Sequence, residues 1–571
     1  MNSKSFLTVA LSCICAAGCV VVDTDLGNGY IPIEQQYRIR TVEFPLERIE
    51  NRKITHMSGY SSRRITIGAL RDGTFGLTVK SSAFTLVPVN DTLDFGESPE
   101  YRDFHISLQR DTISVLSDGD RRILQNIRVY SLEDAGKKLD STSIYTSDLK
   151  RSDFEGCNLI SKGTPVYNGG DSLSFSFNSD FGKAQFDKML GLRNEDGLYV
   201  IDSVIRYTEK FPGIFLTCDE PAGNGGRLNF FDVDIAVSNG YVTGNYAELK
   251  FRSKFDGEVR DTSILFMFGA VSFPKMTSSS ALPKQFAFNS IEEEGKVAEG
   301  TAKDVVYVEG GTGLKPVVTA AELRDLMRKA LEEEGLNPDD STIVINKASI
   351  CIPYTMPAEN YLDMKFFPEK LSPVCRIKST NGDKVSYNYA NLTDAAVTNE
   401  AQGDIDRSNM NYTADISFHA QKILWLRTDG GAPDEETLSN YDVWNLIMAT
   451  EVTVTEDNSN SQTDYYNQLM YYNYLNSMYG GYGGYGYGGY GYGGYGYGGY
   501  GSYGYSNYYN MMMYYSMLNS GSTSSNTSTS SELDRDRFYR GILNGPASSG
   551  AKPVLRFTFA YPDSALIPPT D

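Results

Sequence analysis

The sequence predicts a mainly β protein: two antiparallel β-sandwich, jelly-roll-like modules with one or two short helices and a disordered Gly/Tyr-rich insertion. Three observations carry that reading. Short runs alternate apolar and polar side chains throughout the body, the period at which a pleated strand buries one face. Asp-Gly and Gly-rich turn chemistry separates the runs. Helical periodicity stands out in only two stretches, which argues for sandwiches rather than a parallel sheet with crossover helices.

The N-terminus reads as an export signal. Lys4 supplies a positive charge, and an apolar run extends from Phe6 to Ala17. A bilayer span needs about 20 residues, so this shorter run fits a signal-peptide core. It ends in Ala16-Ala17-Gly18-Cys19, small residues before a cysteine, as in a bacterial lipobox where the thiol is lipidated and becomes the first residue. Residues 1–18 are therefore expected to be a signal peptide and 19–38 a lipidated tether. Acyl chains on Cys19 anchor by burying methylenes at ~0.8 kcal/mol each.

The N-terminal sandwich is expected over residues 39–295. Arg64–Leu70 alternates, Asp72-Gly73 turns, and Leu77–Val79 and Phe84–Val87 continue. Further strands are expected at Phe104–Leu108, Leu173–Phe177, Gly213–Thr217, Leu228–Val233, Ala247–Phe251 and Ile264–Phe268. A short helix from Asp180 to Leu190 stops at Gly191. The boundary is placed near residues 290–300, where Ile291-Glu292-Glu293-Glu294-Gly295-Lys296 is charged and unpatterned.

The C-terminal sandwich is expected over 296–571. Its clearest element is a helix from Thr319 to Glu334. Thr319 and Glu322 form a capping box, Leu323, Leu326, Met327, Ala330 and Leu331 form an apolar stripe, and Gly335 is the stop. Strands are predicted at Ile343–Pro353, Tyr361–Phe367, Lys384–Tyr389, Ile416–Leu426 and Val452–Thr455, and a last one at Pro553–Tyr561. Residues 457–533 interrupt this module as a Gly/Tyr/Ser insertion; Tyr465 to Ser531 holds no charged residue. Glycine loses the most backbone entropy on ordering, so the segment is expected to stay outside the core. Its tyrosines could also stack on aromatics, sugars or other copies of the segment.

Charge and chemistry narrow the function. With 52 Lys+Arg against 72 Asp+Glu the net charge is −20, so nucleic acid, which needs clustered positive charge, is not an expected partner. His56, His105 and His419 are scattered, and no nucleophile elbow, HExxH or Walker loop is present. Gly310-Gly311-Thr312-Gly313 reads as a strand-end turn, and Asp404, Asp406 and Asn409 as a solvated acidic loop rather than a calcium loop. No catalytic residue, metal site or cofactor is expected beyond the covalent lipid on Cys19. Beyond Cys19 the mature chain holds Cys157, Cys218, Cys351 and Cys375, which allow three disulfide connectivities. If any pair forms, Cys351 with Cys375 is the favoured one, because both flank predicted neighbouring strands; four buried free thiols acting as small hydrophobes is the reading preferred over any pair.

Several stretches together resemble the DUF4270 lipoprotein family of Bacteroidota. They are the lipobox with Asp25-Leu26-Gly27 and Ile31-Pro32, the run Ile67-Gly68-Ala69-Leu70-Arg71-Asp72-Gly73-Thr74-Phe75-Gly76, Phe211-Pro212-Gly213-Ile214-Phe215, Gly225-Gly226-Arg227-Leu228, Val308 to Lys315, and Ile345-Asn346-Lys347-Ala348. The resemblance implies an outer-membrane lipoprotein with a β-rich body, and it carries over no catalytic residue. The expected function is thus a non-enzymatic accessory or interaction subunit of a cell-envelope complex. It would sit at the surface-exposed or periplasmic face of a bacterial outer membrane, with an outer-membrane protein as partner. A surface glycan-binding module is the alternative, and a hydrolase the more distant one.

Overall fold

The computed structural model describes residues 37–111, 123–140, 143–233, 235–238, 241–270, 285–357, 361–381, 384–392, 402–428, 431–455, 526–535 and 539–562. The expected signal peptide, Cys19 and most of the Gly/Tyr segment lie outside the described residues. The chain is mainly β, with 50% strand, 14% helix and several antiparallel sheets.

The first module packs an eight-stranded sheet against a five-stranded one. Gly76–Phe84 is the hub of the larger sheet, pairing with Arg64–Asp72 and Ile214–Cys218 on one side and with Ala287–Gly295 on the other. The Asp72-Gly73 turn forms as its chemistry predicts: the Asp72 carboxylate accepts from the Thr74 and Phe75 amides. In the smaller sheet Glu97–Gln109 lies between Ser172–Ser176 and Tyr246–Phe255. Inward-facing Ile65, Ile67, Leu77, Val79, Ile127 and Val129 meet Phe104, Ile106, Leu249, Phe251, Phe266 and Phe268 across one core.

Helix α1 (Ser179–Leu190) closes one end of this core. Asn178 caps it by accepting from the Phe181 amide, and Gly191 ends it. Phe181 and Phe186 then pack on Phe177 and Phe251 at ring distances of 5.0 and 5.4 Å. A shorter helix, α2 (Val204–Lys210), follows.

The second module also has two layers. One sheet runs Tyr37–Pro45, Val554–Pro562, Val344–Pro353, Asn411–Asp415, Gln402–Asp406 in spatial order. The other runs Gly300–Thr301, Ile49–Lys53, Leu314–Val318, Val443–Leu446, Ser372–Asn381, Lys384–Asn391. Helix α3 (Ala320–Glu333) fills the space between them with Leu323, Met327, Ala330 and Leu331. Thr319 caps it, but Glu322 does not close the expected box. Its carboxylate accepts from the Glu47 and Arg48 amides instead, at 2.6 and 2.8 Å. Two further helices complete the module, α4 (Ser417–Trp425) and α5 (Glu435–Ser439).

Several expectations are corrected. The N-terminal module does not begin at residue 39. Tyr37–Pro45 pairs along its whole length with Val554–Pro562, and Ile49–Lys53 pairs with Leu314–Val318, so residues 37–53 belong to the second module, and the chain then crosses to the first and returns. The charged stretch 291–295 is not unpatterned but the end of the strand Ala287–Gly295; cations take up its carboxylates, with Arg151 on Glu292 and Lys53 on Glu293.

Ile416–Leu426 is helical rather than extended. Ile416, Ala420, Ile423 and Leu424 are buried at i, i+4, i+7 and i+8, a helical period that the β-like composition hid. Tyr361–Phe366 is a 3-10 helix, with Met364 and Phe367 buried three residues apart. The insertion is shorter than 457–533, because Asn526–Leu533 forms an antiparallel ladder with Met448–Thr455. One more strand, Arg540–Asn544, precedes the last. With five described α-helices the helical content exceeds the one or two expected.

Candidate functional site

A group of buried and half-buried charges lies where the two modules meet. From the first module come the turn at 72–76, Thr78 and Lys80 on the hub strand, and Glu293 on its neighbour. From the second come the turn at 309–314, Lys315 and Arg540.

The turn Gly310-Gly311-Thr312-Gly313 is formed as expected, and its role is to wrap an ammonium. Lys315 is fully buried and donates to the carbonyl oxygens of Glu309, Gly311 (3.1 Å) and Gly313 (2.8 Å). Burial pulls its pKa down to about 8, against the pull of Glu309 and Glu293 in the other direction. Burial raises the Glu309 carboxyl, and the nearby Glu293 charge adds to that. Glu309 accepts from the Leu314 amide, while Glu293 accepts from the Thr312 hydroxyl at 3.0 Å and meets Lys53 at 3.5 Å.

Arg540 bridges the modules directly. It lies 3.3 Å from the Asp72 carboxylate, donates to the Thr78 hydroxyl and stacks on the Phe75 ring at 5.1 Å. Lys80 donates to the Arg535 carbonyl, and Arg535 donates to the Ser58 and Tyr60 carbonyls. Lys80, Glu293, Glu309 and Arg540 line a cavity of about 20 Å³, room for roughly one water and far short of a sugar ring. Chemically the cluster can hold the modules in register.

The other sequence-flagged residues do not gather here. Cys19 lies outside the described residues. Cys351 and Cys375 are not joined to one another, so the conditional pairing does not form and the preferred reading without a disulfide holds for them. Their strands belong to the two opposite sheets of the second module, not to neighbours in one. Cys351 lies beside Thr413, and burial raises its thiol; Cys375 packs against the core, 3.7 Å from His419. Cys157 and Cys218 are free as well.

His419 sits on α4 and donates from Nε2 to the Tyr441 carbonyl; burial lowers its pKa, so the neutral ring is the structural one. His105 lies 3.8 Å from Glu248, and His56 is exposed near Tyr145. Asp406 accepts from the Ser408 and Asn409 amides and the Asn409 side chain, a self-capped turn rather than a cation loop. Among the described residues no group of three or more His, Cys, Asp or Glu is placed to hold a metal ion.

Sequence reasoning passed over Lys315 and Arg540. A lysine in the apolar run Leu314–Val318 was the available signal for the first. Arg540 offered none, because Asp72, Phe75 and Thr78 lie more than 460 residues away in the chain.

Comparisons with protein-family models, with curated proteins and with solved structures returned no match.

Proposed function

We propose that this protein is a lipid-anchored, non-catalytic subunit of a bacterial outer membrane, an accessory or interaction component of a cell-envelope complex. The observation that carries the reading is Ala16-Ala17-Gly18-Cys19 at the end of an apolar run led by Lys4, to which the DUF4270 resemblance adds. The fold supports it in one respect. The strand Tyr37–Pro45 begins 18 residues after Cys19 and is built along nine residues into the second module, so a pull on the lipid is borne by a full ladder. The charged seam supports it in another: a one-water cavity suits a rigid two-module body better than a substrate cleft.

The experiment is purification from membranes in mild detergent, with the Cys19→Ala variant alongside. The reading expects a stoichiometric integral outer-membrane protein to accompany the wild type, and Cys19→Ala to lose the lipid. Recovery of the wild type alone would remove the accessory role, and an unlipidated wild type would remove the anchor.

A further inference from the structure

We infer that one rim of the second module, the end where the tether enters, rests in the headgroup layer of a zwitterionic phospholipid surface. The inference builds on the lipid-anchor reading and asks which face the anchor holds down.

Helix α4 takes the place that Asn411–Asp415 leaves open beside the central strand of the five-stranded sheet. It lies beside the first half of Val344–Pro353, where the Ile345 amide donates to Gln421 Oε1 at 2.6 Å and the Ala348 amide to Ser417 Oγ at 2.9 Å. The inner face of α4 buries His419, Ala420, Ile423 and Leu424. Its outer face carries Phe418, 58% exposed, Lys422, and Trp425, 38% exposed. Phe418 and Trp425 are seven residues, or two turns, apart and so share one stripe.

The contacts of α4 also set its direction. Running from Ser417 to Trp425 it descends from Ala348 toward Val344, so Trp425 lies at the end where that strand begins. Val344 pairs with Ala560, and Ala560 with Ile39 on the first strand. Val344 and Ile39 are 46% and 63% exposed, and Tyr37, 48% exposed, follows on the same face. Aromatic and aliphatic side chains thus collect on the rim where the chain arrives from Cys19.

The tether decides the occupant. Eighteen residues reach about 60 Å when fully extended and about 25 Å as a flexible coil, so this rim stays near the bilayer that holds the lipid. Trp, Tyr and Phe interleaved with a lysine are the side chains that settle at a headgroup boundary. The chain's net charge of −20 opposes an anionic surface, which leaves a zwitterionic one.

The test uses the lipidated protein in phosphatidylcholine vesicles with bromine on the upper acyl chain, a short-range quencher. The chain has two tryptophans, and Trp444 is 1% exposed in the core, so Trp425 is the reporter. The expected result is quenching of about half the tryptophan emission, abolished in Trp425→Phe and reduced at least about threefold in Phe418→Ser/Val344→Ser. Flotation with the vesicles is scored in the same samples. Protein that floats without quenching overturns the rim contact and leaves the anchor standing. Protein that does not float overturns the anchor, and the rim contact with it. Unquenched protein that sediments as a dimer gives the patch to a second copy, which also overturns the proposal.

Discussion

The two modules are built from similar strands but assembled differently. The first draws its core from one stretch of chain, Ile65 through Ala287. The second needs Leu46 and Ile49 from the start of the chain together with residues from Ala302 to Tyr561. Their fillings differ as well. Aromatic pairs such as Phe104 with Phe177, at 4.8 Å, dominate the first, while a helix laid between two sheets fills the second. The ladders of the first module all close within residues 60–295, whereas the second module must bring strands from 37–53 to strands as far along as 554–562 before its contacts repay the entropy. The second module should therefore be the one that depends on the N-terminal strands.

Deleting residues 37–53 tests that dependence most severely. It removes a nine-residue edge strand, the Ile49–Lys53 ladder, and buried Leu46 and Ile49. The expected loss exceeds about 5 kcal/mol and unfolds the second module, while residues 58–295 remain protease-resistant. Limited proteolysis with mass mapping reads the result; loss of both modules together would show that the charged seam, not the chain path, unites them.

Point substitutions in the two cores come next. Phe104→Ala and Phe557→Ala each empty a fully buried ring site and should cost about 3–5 kcal/mol. Thermal unfolding should lower one transition for Phe104→Ala and a different one for Phe557→Ala. A single shared shift would mean that the modules unfold as one unit.

The seam is titratable. The depressed Lys315 pKa, about 8, means the unfolded chain binds more protons between about pH 8 and 10.5. Stability must then rise with pH across that window: the burial penalty is fully present below pH 8 and gone above 10.5. Lys315→Met removes that rise, worth roughly 3 kcal/mol, and leaves three carbonyls without their donor. Urea titrations at pH 7 and pH 10 should show the variant falling behind the wild type by more at pH 10. An equal deficit at both values would contradict the assigned cause.

The smallest expected effect concerns the clamp between the N-terminal strands and α3. Glu322→Ala strips the Glu47 and Arg48 amides of their acceptor and should cost about 2 kcal/mol. Glu322→Gln keeps an acceptor oxygen. Because burial raises the Glu322 pKa, its ionised form is disfavoured in the folded chain, and the cost mounts as pH rises above the ordinary carboxyl range. Glu322→Gln should accordingly lie within about 0.5 kcal/mol of wild type at neutral pH, or above it. Chemical denaturation of the two variants separates the hydrogen bond from the charge.

Much of the strand pattern was legible because alternation is local: Arg64–Asp72, Glu97–Gln109, Tyr246–Phe255 and Val554–Pro562 each declare their faces within a few residues. Helix α3 was legible for the same reason, from its cap and stripe. The helix at Ser417–Trp425 was not, because Ile, Phe and Trp favour strands when read singly. Only the burial of Ile416, Ala420, Ile423 and Leu424 against Val344–Pro353 decides in favour of the helix. In the seam, the turn 310–313 was visible, but the ammonium it encloses was not. Three carbonyls must converge before a lysine is tolerated at such depth.

By itself, then, the sequence determined the mainly β class, the turns and capped helices, the charge balance, and the place of the Gly/Tyr insertion between strands. All of these follow from side-chain periodicity and backbone preferences a few residues long. Only the tertiary structure decided that Tyr37–Pro45 and Ile49–Lys53 belong to the last module, that Cys351 and Cys375 sit in opposite sheets, and that Arg540 binds Asp72 and Thr78. The first-strand pairing and the Arg540 contacts join residues hundreds of positions apart. Their selection rests on which faces bury together and which charges then need partners, a property of the assembled layers that no short window of sequence contains.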